Sequence, residues 1–490
     1  MAEKRFNLIE EPWLPMESQG LLSLREIFTR PDAANPGGSP IQKIATFKLL
    51  QAICQAGATP KTEKDWETLS PEAIASSAIA YLERHKDEFW LYGDKPFLQM
   101  PQIAKGKVVA YGSVNPEIAS GNTTVLLQSQ IQGELSDAEK ACLLLRLQGF
   151  ATSGKKVDNS IVLTPHYEKT KGAPAGPALG YLGFLHTLVL GERLWQTLWL
   201  NLFTEERIGA MKVFADGVGT PPWEKMPEGE ECATSQALCS SLMGRLVPLS
   251  RFCLFADDGL HLTEGIRHKG YKEGMADPSV SVNMEGKEPK ALWVDPGKRP
   301  WRSLVSLLSF LQGARNDAFV CPQLRLALSR IRRLETAHIW SGGIRVSANA
   351  GEQYPSGTDD YVESLIDIAS EDIGEIWFQR FSREMEKLEG LEKALYGAVS
   401  GYCAELSVEG SRKQKAAQAT SIFWQRAESL SSELIDECGE DDPEKLKKLR
   451  VRFYAMARGA YDQACPHQTP RQMAVWIKHS VGSGKYLRDE

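Results

Sequence analysis

A cysteine framework is absent from this 490-residue chain. Its nine cysteines (Cys54, Cys142, Cys232, Cys239, Cys253, Cys321, Cys403, Cys438 and Cys465) are odd in number, scattered, and contain no C-x-x-C pair. That usage fits reduced cytosolic thiols and not disulfide bridges. The eight histidines do not gather beside them, so the spacing of a structural zinc site is missing. A signal peptide is not expected either, because Met1–Glu11 is charged and lacks an apolar core. No apolar run reaches the about 18 residues of a membrane span. The nearest, Gly172–Leu190, holds no Asp, Glu, Lys or Arg, but Pro174 and Pro177 interrupt it. It reads as a Gly/Pro loop leading into a buried helix from Ala178 to Leu190. The motifs H-E-x-x-H and G-x-S-x-G and the EF-hand loop are missing, and with them the minimum residue sets for those chemistries. A formal charge of −6 excludes a surface coated in basic residues, yet leaves room for a local basic groove.

What is present is ordinary globular composition, 42% apolar and 24% charged, in a chain long enough for several domains. Phe6 and Leu8 suggest a short strand stopped by Pro12. Ser23–Glu26 is a capping-box pattern opening a short helix. Helical spacing of apolar residues covers Ile41–Ala56, Pro71–Arg84, Ala138–Gln148, Trp301–Gln312 and Cys321–Arg333. Phe203–Pro300 reads as short strands and irregular structure, and Ile339–Gly357 as a glycine-rich loop. The tail differs. Apolar stripes at Leu388–Tyr402, Ala416–Leu434, Leu446–Ala460 and Met473–Ile477 predict four helices with short connections, hence a four-helix bundle. The expected organisation is α+β: an irregular mixed α/β domain over 1–365 and a four-helix bundle over 366–490.

Gly149-Phe150-Ala151-Thr152-Ser153-Gly154-Lys155-Lys156 carries the G-x-x-x-x-G-K spacing of a phosphate-cradling loop. Lys156 occupies the position where Ser or Thr would bind magnesium, and a helix precedes where a strand is required. The eight histidines are isolated, and acidic pairs such as Asp257-Asp258 read as turn residues. Basic residues gather in three glycine-rich stretches: Lys155, Lys156, Lys169 and Lys171; Arg267, Lys269 and Lys272; and Arg345 with Ser347 and Asn349 nearby. Each alone is explained by solvation, but three in an acidic chain favour a local surface for a nucleic-acid backbone. The run Lys445, Lys447, Lys448, Arg450 and Arg452 reads as a solvated helix face.

The opening Asn7-Leu8-Ile9-Glu10-Glu11-Pro12-Trp13-Leu14-Pro15 resembles that of the CasA family, large subunits of the type I-E CRISPR surveillance complex, Cascade. Lys95-Pro96-Phe97-Leu98-Gln99 and Lys393-Ala394-Leu395-Tyr396 are similar to further landmarks in the same order. The resemblance implies a non-catalytic, cytoplasmic protein without cofactor or membrane segment. Its implied partners are the other Cascade subunits, the CRISPR RNA, target double-stranded DNA and a separate helicase-nuclease. The protein would sense the short protospacer-adjacent motif (PAM) from the minor groove and help open the duplex, leaving most sequence reading to base pairing. By resemblance, the glycine loop approaching the motif corresponds to Gly149–Gly154, and the minor-groove lysine falls at Lys269 or Lys272. The duplex-parting wedge follows Gly342-Gly343, where Ser347, Ala348 and Asn349 stand in place of the family's glutamine. The loop meeting the RNA handle lies around Leu126, Leu127 and Gln128. Two other readings remain open from the residues alone: a divergent P-loop nucleotide hydrolase using Lys155, and an adaptor whose bundle docks proteins without reading DNA.

Overall fold

Ser39 caps and Pro40 opens an eighteen-residue helix, Pro40–Gly57, that is buried over almost its whole length. In the computed structural model this helix packs against the helix Pro71–Arg84, itself capped by Ser70 and opened by Pro71. The structure describes residues 3–118, 133–150, 157–158, 160–164, 183–273, 277–285, 287–312, 319–334, 336–349, 352–354, 361–369, 374–407, 412–440, 442–482 and 486–487. The opening landmark is a structural element. Asn7 Oδ1 accepts from the Ile9 amide (3.0 Å), and buried Trp13 donates its indole N–H to Leu8 O (2.9 Å). Glu10 takes a two-pronged bond from Arg25 (2.8 Å each) and a third from Lys86, which together hold its carboxyl down to about 2. The Lys95–Gln99 landmark is equally structural. Phe97 stacks on Phe89 at 5.0 Å, while Gln99 donates to Leu91 O and accepts from the Phe255 amide.

Two expectations fail in the strand regions. His186–Leu190, expected within a helix, is a strand. Thr336–Ile344, read in part as loop, is a nine-residue strand pairing antiparallel with it, Gly342 opposite His186. Tyr361–Ala369 flanks the other edge. A run buried on both faces loses the alternation that marks a strand, so His186–Leu190 resembles a buried helix in sequence. Gly342 and Gly343 are inside the sheet because there is no room for a side chain. A Cβ on Gly342 would stand 2.6 Å from the Trp340 ring, and one on Gly343 2.6 Å from Phe184 O. Beyond Ile344, Ser347–Asn349 and Glu352–Tyr354 form a two-stranded hairpin.

The chain divides into two compact units, Met1–Pro300 with Ala318–Leu365, and Trp301–Asp317 with Ile366–Glu490. The single cut expected from sequence therefore needs correction, since Trp301–Asp317 belongs to the helical unit. Trp301 is buried edge-on to Trp424, and Arg302 lies 3.6 Å over the Trp424 ring. The helical unit holds Glu375–Glu405, Arg412–Glu428, Ser431–Gly439, Pro443–Ala464 and Pro470–Lys478, so the second expected stripe is shared by two helices. Two expected features of this unit differ. Met473 and Ile477 are exposed, and buried Val475 faces inward in their place. Arg450 is also not on a solvated face: it is buried and holds Glu384 through Nε (2.8 Å) and Nη2 (2.6 Å).

Candidate nucleic-acid interface

The glycine loop is fixed at both of its described ends. Ser136 caps the helix Asp137–Gly149, whose last turn is tied down by three bonds: Arg146 to Glu117 (2.9 Å), Gln148 Nε2 to Leu98 O (3.1 Å), and the Ser250 amide to Gln148 O (3.1 Å). Gly149 ends that helix, and among the described residues no atom lies within 4 Å of where its Cβ would stand. Phe150, expected among the DNA-facing residues, is only 1% exposed and sets its ring edge-on to His186 at 5.6 Å. Its side chain is therefore an anchor in the core, a correction to the expected contact set. Ala151, Thr152, Ser153, Gly154 and Lys155 lie outside the described residues. On the far side Val157 is buried, and the Asp158 amide donates to Leu262 O (2.8 Å). Asp158 also accepts from the amides of Lys107 and Ser160; with the Ser160 hydroxyl, these hold its carboxyl near 2. The helix before Gly149 also denies the strand–loop–helix context that a nucleotide-hydrolysing P-loop requires. The RNA-handle candidates Leu126, Leu127 and Gln128 lie outside the described residues as well.

The same hydrogen-bond network reaches the second basic cluster. The Ile266 amide donates to Leu249 O (2.9 Å), and His268 Nε2 donates to Pro248 O (2.7 Å), directly beside the Ser250–Gln148 bond. Lys269 and Lys272 project from this ledge and are exposed, Lys272 with a loose 3.8 Å pairing to Glu288. Tyr271 packs edge-on against Phe184 at 5.6 Å. Phe184 in turn lies against Gly343, through the carbonyl that leaves no room for a Cβ. Arg345 follows that glycine pair, exposed and with no ion pair among the described residues. The glycine-loop root, the Lys269–Lys272 ledge and the Arg345 hairpin are thus brought together around Phe184 and His186. For Ser347 and Asn349 only the backbone register is described: they lie opposite Tyr354 and Glu352. The returning strand sets Gln353 opposite Ala348, a glutamine that a search close after Gly342-Gly343 passes over.

Beneath this surface is a buried polar floor. Lys48 donates to Asp277, which accepts from the amide (2.9 Å) and hydroxyl (2.7 Å) of Ser279; Ser279 Oγ lies 2.8 Å from His186 Nδ1. Burial, helped by nearby Arg245, drives the His268 imidazole down to about 3. Burial, helped by Lys48, drives His186 well below the ordinary value of 6.5. The unfolded chain thus takes up these two protons first as the pH falls. The contribution of these two histidines to stability is complete above about pH 6.5 and declines below it, the His268 share ending near pH 3. The expected slope is on the order of 1.4 kcal/mol per pH unit for each histidine. Urea unfolding at pH 7 and pH 5 measures it. His268→Gln should shrink the gap between the two midpoints, and an unchanged gap would refute the buried neutral imidazole.

Among the described residues no group of three His, Cys, Asp or Glu side chains could hold a metal ion, and no helix is long and apolar enough to cross a membrane. The arrangement defines a class: a mixed α/β unit presenting cations on glycine-rich segments, joined to a helical unit. The family model for CRISPR-associated protein Cse1 matches residues 7–460, and the chain belongs to that family. It is 27% identical over 329 residues to the CRISPR-associated protein CasA/Cse1 of Thermus thermophilus, a match covering 60% of this chain and 59% of that relative's length. The crystal structure of Thermobifida fusca Cse1 superposes with a TM-score of 0.74 at 20% identity, covering 98% of this chain and 97% of that one. A chain of a CRISPR RNA-guided surveillance complex superposes at 0.70 with 16% identity, covering 97% and 98%. These structural likenesses establish a shared fold.

Proposed function

We propose that this protein is the non-catalytic, cytoplasmic large subunit of a type I-E CRISPR RNA-guided surveillance complex. It reads the PAM in double-stranded DNA, helps open the duplex, and recruits a separate helicase-nuclease for antiviral degradation. Its partners are the other Cascade subunits, the CRISPR RNA met around Leu126–Gln128, the target duplex and that nuclease. The observation that carries this reading, beside family membership, is the nearness of the Gly149–Phe150 helix end, the Lys269–Lys272 ledge and the Gly342-Gly343 strand end, with Lys269, Lys272 and Arg345 exposed. Backbone can approach a groove floor there, a lysine can reach base edges, and an arginine can meet phosphate. The wedge is assigned to the Ser347–Tyr354 hairpin, with Gln353 joining Ser347 and Asn349 as candidates.

The test is a reconstituted complex titrated with PAM-bearing and motif-scrambled duplexes at two salt concentrations. Lys272→Ala should cost about 1–3 kcal/mol on the PAM-bearing duplex and little on the scrambled one. Arg345→Ala should weaken both alike and lower the salt slope by about 1. Unchanged binding ratios and slopes in both variants would remove the assignment.

A further inference from the structure

Trp293 alone among the twelve tryptophans is exposed, at 40%, whereas Trp301 and Trp340 are 1% and 3% exposed. Its position is fixed. The strand-like bridge from Phe184 to Trp293 holds its backbone, and its ring packs on Phe184 at 4.7 Å and edge-on to Tyr271 at 6.3 Å. Gly183 brings it to the hairpin. A Cβ there would stand 3.2 Å from the indole Cε3 and 2.5 Å from Val346 Cγ2, so Trp293 and Val346 both crowd the same glycine. Val346 separates exposed Arg345 from the first residue of the hairpin, Ser347. On the other side, Tyr271 is followed by exposed Lys272, and Lys290 is exposed on the strand just before Trp293.

A large aromatic face braced from behind and flanked by cations is the composition of a single-strand binding surface. Every base has a π-face to stack, and the cations take the phosphates on either side. Trp293 shows more surface than any other indole of the chain, several of which are only half-buried. We propose that Trp293 is a stacking platform for one unpaired nucleobase of an opened DNA duplex, with Arg345 and Lys272 holding its flanking phosphates. The inference rests on the reading of this face as the DNA-facing one and deepens it: beyond contacting duplex, the face captures the first base set free.

The full-length chain is titrated with a forked duplex carrying 2-aminopurine in its unpaired arm, and with the same duplex fully paired. The wild-type chain should bind the fork more tightly and quench the label. Trp293→Leu keeps an apolar cover over Phe184; it should weaken fork binding on the order of tenfold and abolish the quench, with paired-duplex binding held within about twofold. Trp293→Phe should restore most of both. Equal binding of fork and paired duplex by the wild type, or a Trp293→Leu chain that still quenches, would overturn the platform. Fork preference through Trp293 without discrimination of the adjacent motif would support the platform and refute motif reading. Motif discrimination with a silent Trp293→Leu would refute the platform alone.

Discussion

Arg450→Ala is expected to lower the stability of the helical unit by about 3–5 kcal/mol, because it strands the Glu384 carboxylate inside the unit. The two side chains are 9% and 6% exposed and share a two-pronged bond that water does not reach. Removing Arg450 leaves the desolvation of Glu384 opposed only by the looser pairing to Lys387 at 3.8 Å. Replacing both with apolar residues of similar volume, Glu384→Leu with Arg450→Met, should recover most of the loss. Urea unfolding of the full chain, followed at a probe in the helical unit, would measure both. A single variant as stable as the wild type would refute the buried pair. The same geometry governs any charge-reversal test of phosphate binding by this helix. Lys447 and Lys448 are exposed and can be reversed to Glu with the unit intact, whereas reversing Arg450 confounds binding with unfolding.

Gly343→Ala should cost about 1–3 kcal/mol through overpacking. The new methyl would meet Phe184 O at 2.6 Å and Val294 Cγ2 at 2.7 Å, and a strand carbonyl has no rotamer by which to retreat. Relief requires sliding Thr336–Ile344 away from its neighbour, which displaces Arg345 and the hairpin root. Any protein that stays folded should therefore lose more binding to forked DNA than to paired DNA. Thermal unfolding and the fork titration test the two halves. Wild-type values in both would show that the close approach is not rigid.

Helices were legible where apolar residues recur at three and four and a cap stands in front. The Ser23–Glu26 capping box opens the helix Leu24–Thr29, and the stripes over Ile41–Ala56 and Pro71–Arg84 fall within the helices Pro40–Gly57 and Pro71–Arg84. The pair His186–Leu190 and Thr336–Ile344 was not legible, because each strand finds its partner about 150 residues away and neither shows alternation. Arg450 was misread for a related reason. It falls one place after Leu449 on the buried side of the helix, and nothing local announces Glu384. At the candidate site the charged clusters stood out as composition, but their meeting depends on Phe184 and His186, apolar and isolated residues with no motif of their own. Phe150 was misplaced because a loop's first residue is often its anchor. Trp293 was passed over because exposure of a lone indole is a property of packing and not of sequence.

The discontinuous helical unit has a consequence for synthesis. Trp301 leaves the ribosome roughly 120 residues ahead of Trp424, the ring it packs against. At about 5–20 residues per second, that partner is missing for roughly 6–25 s. Throughout that interval Trp301, Leu304, Leu307 and Leu308, all buried in the finished protein, have no helical unit to join, while Ala318–Leu365 emerges and returns to the first unit. The nascent chain thus carries an uncovered apolar segment between two stretches that are already folding. Slowed translation after Leu308 lengthens that exposure and favours aggregation, and a chaperone that holds short apolar segments shortens it.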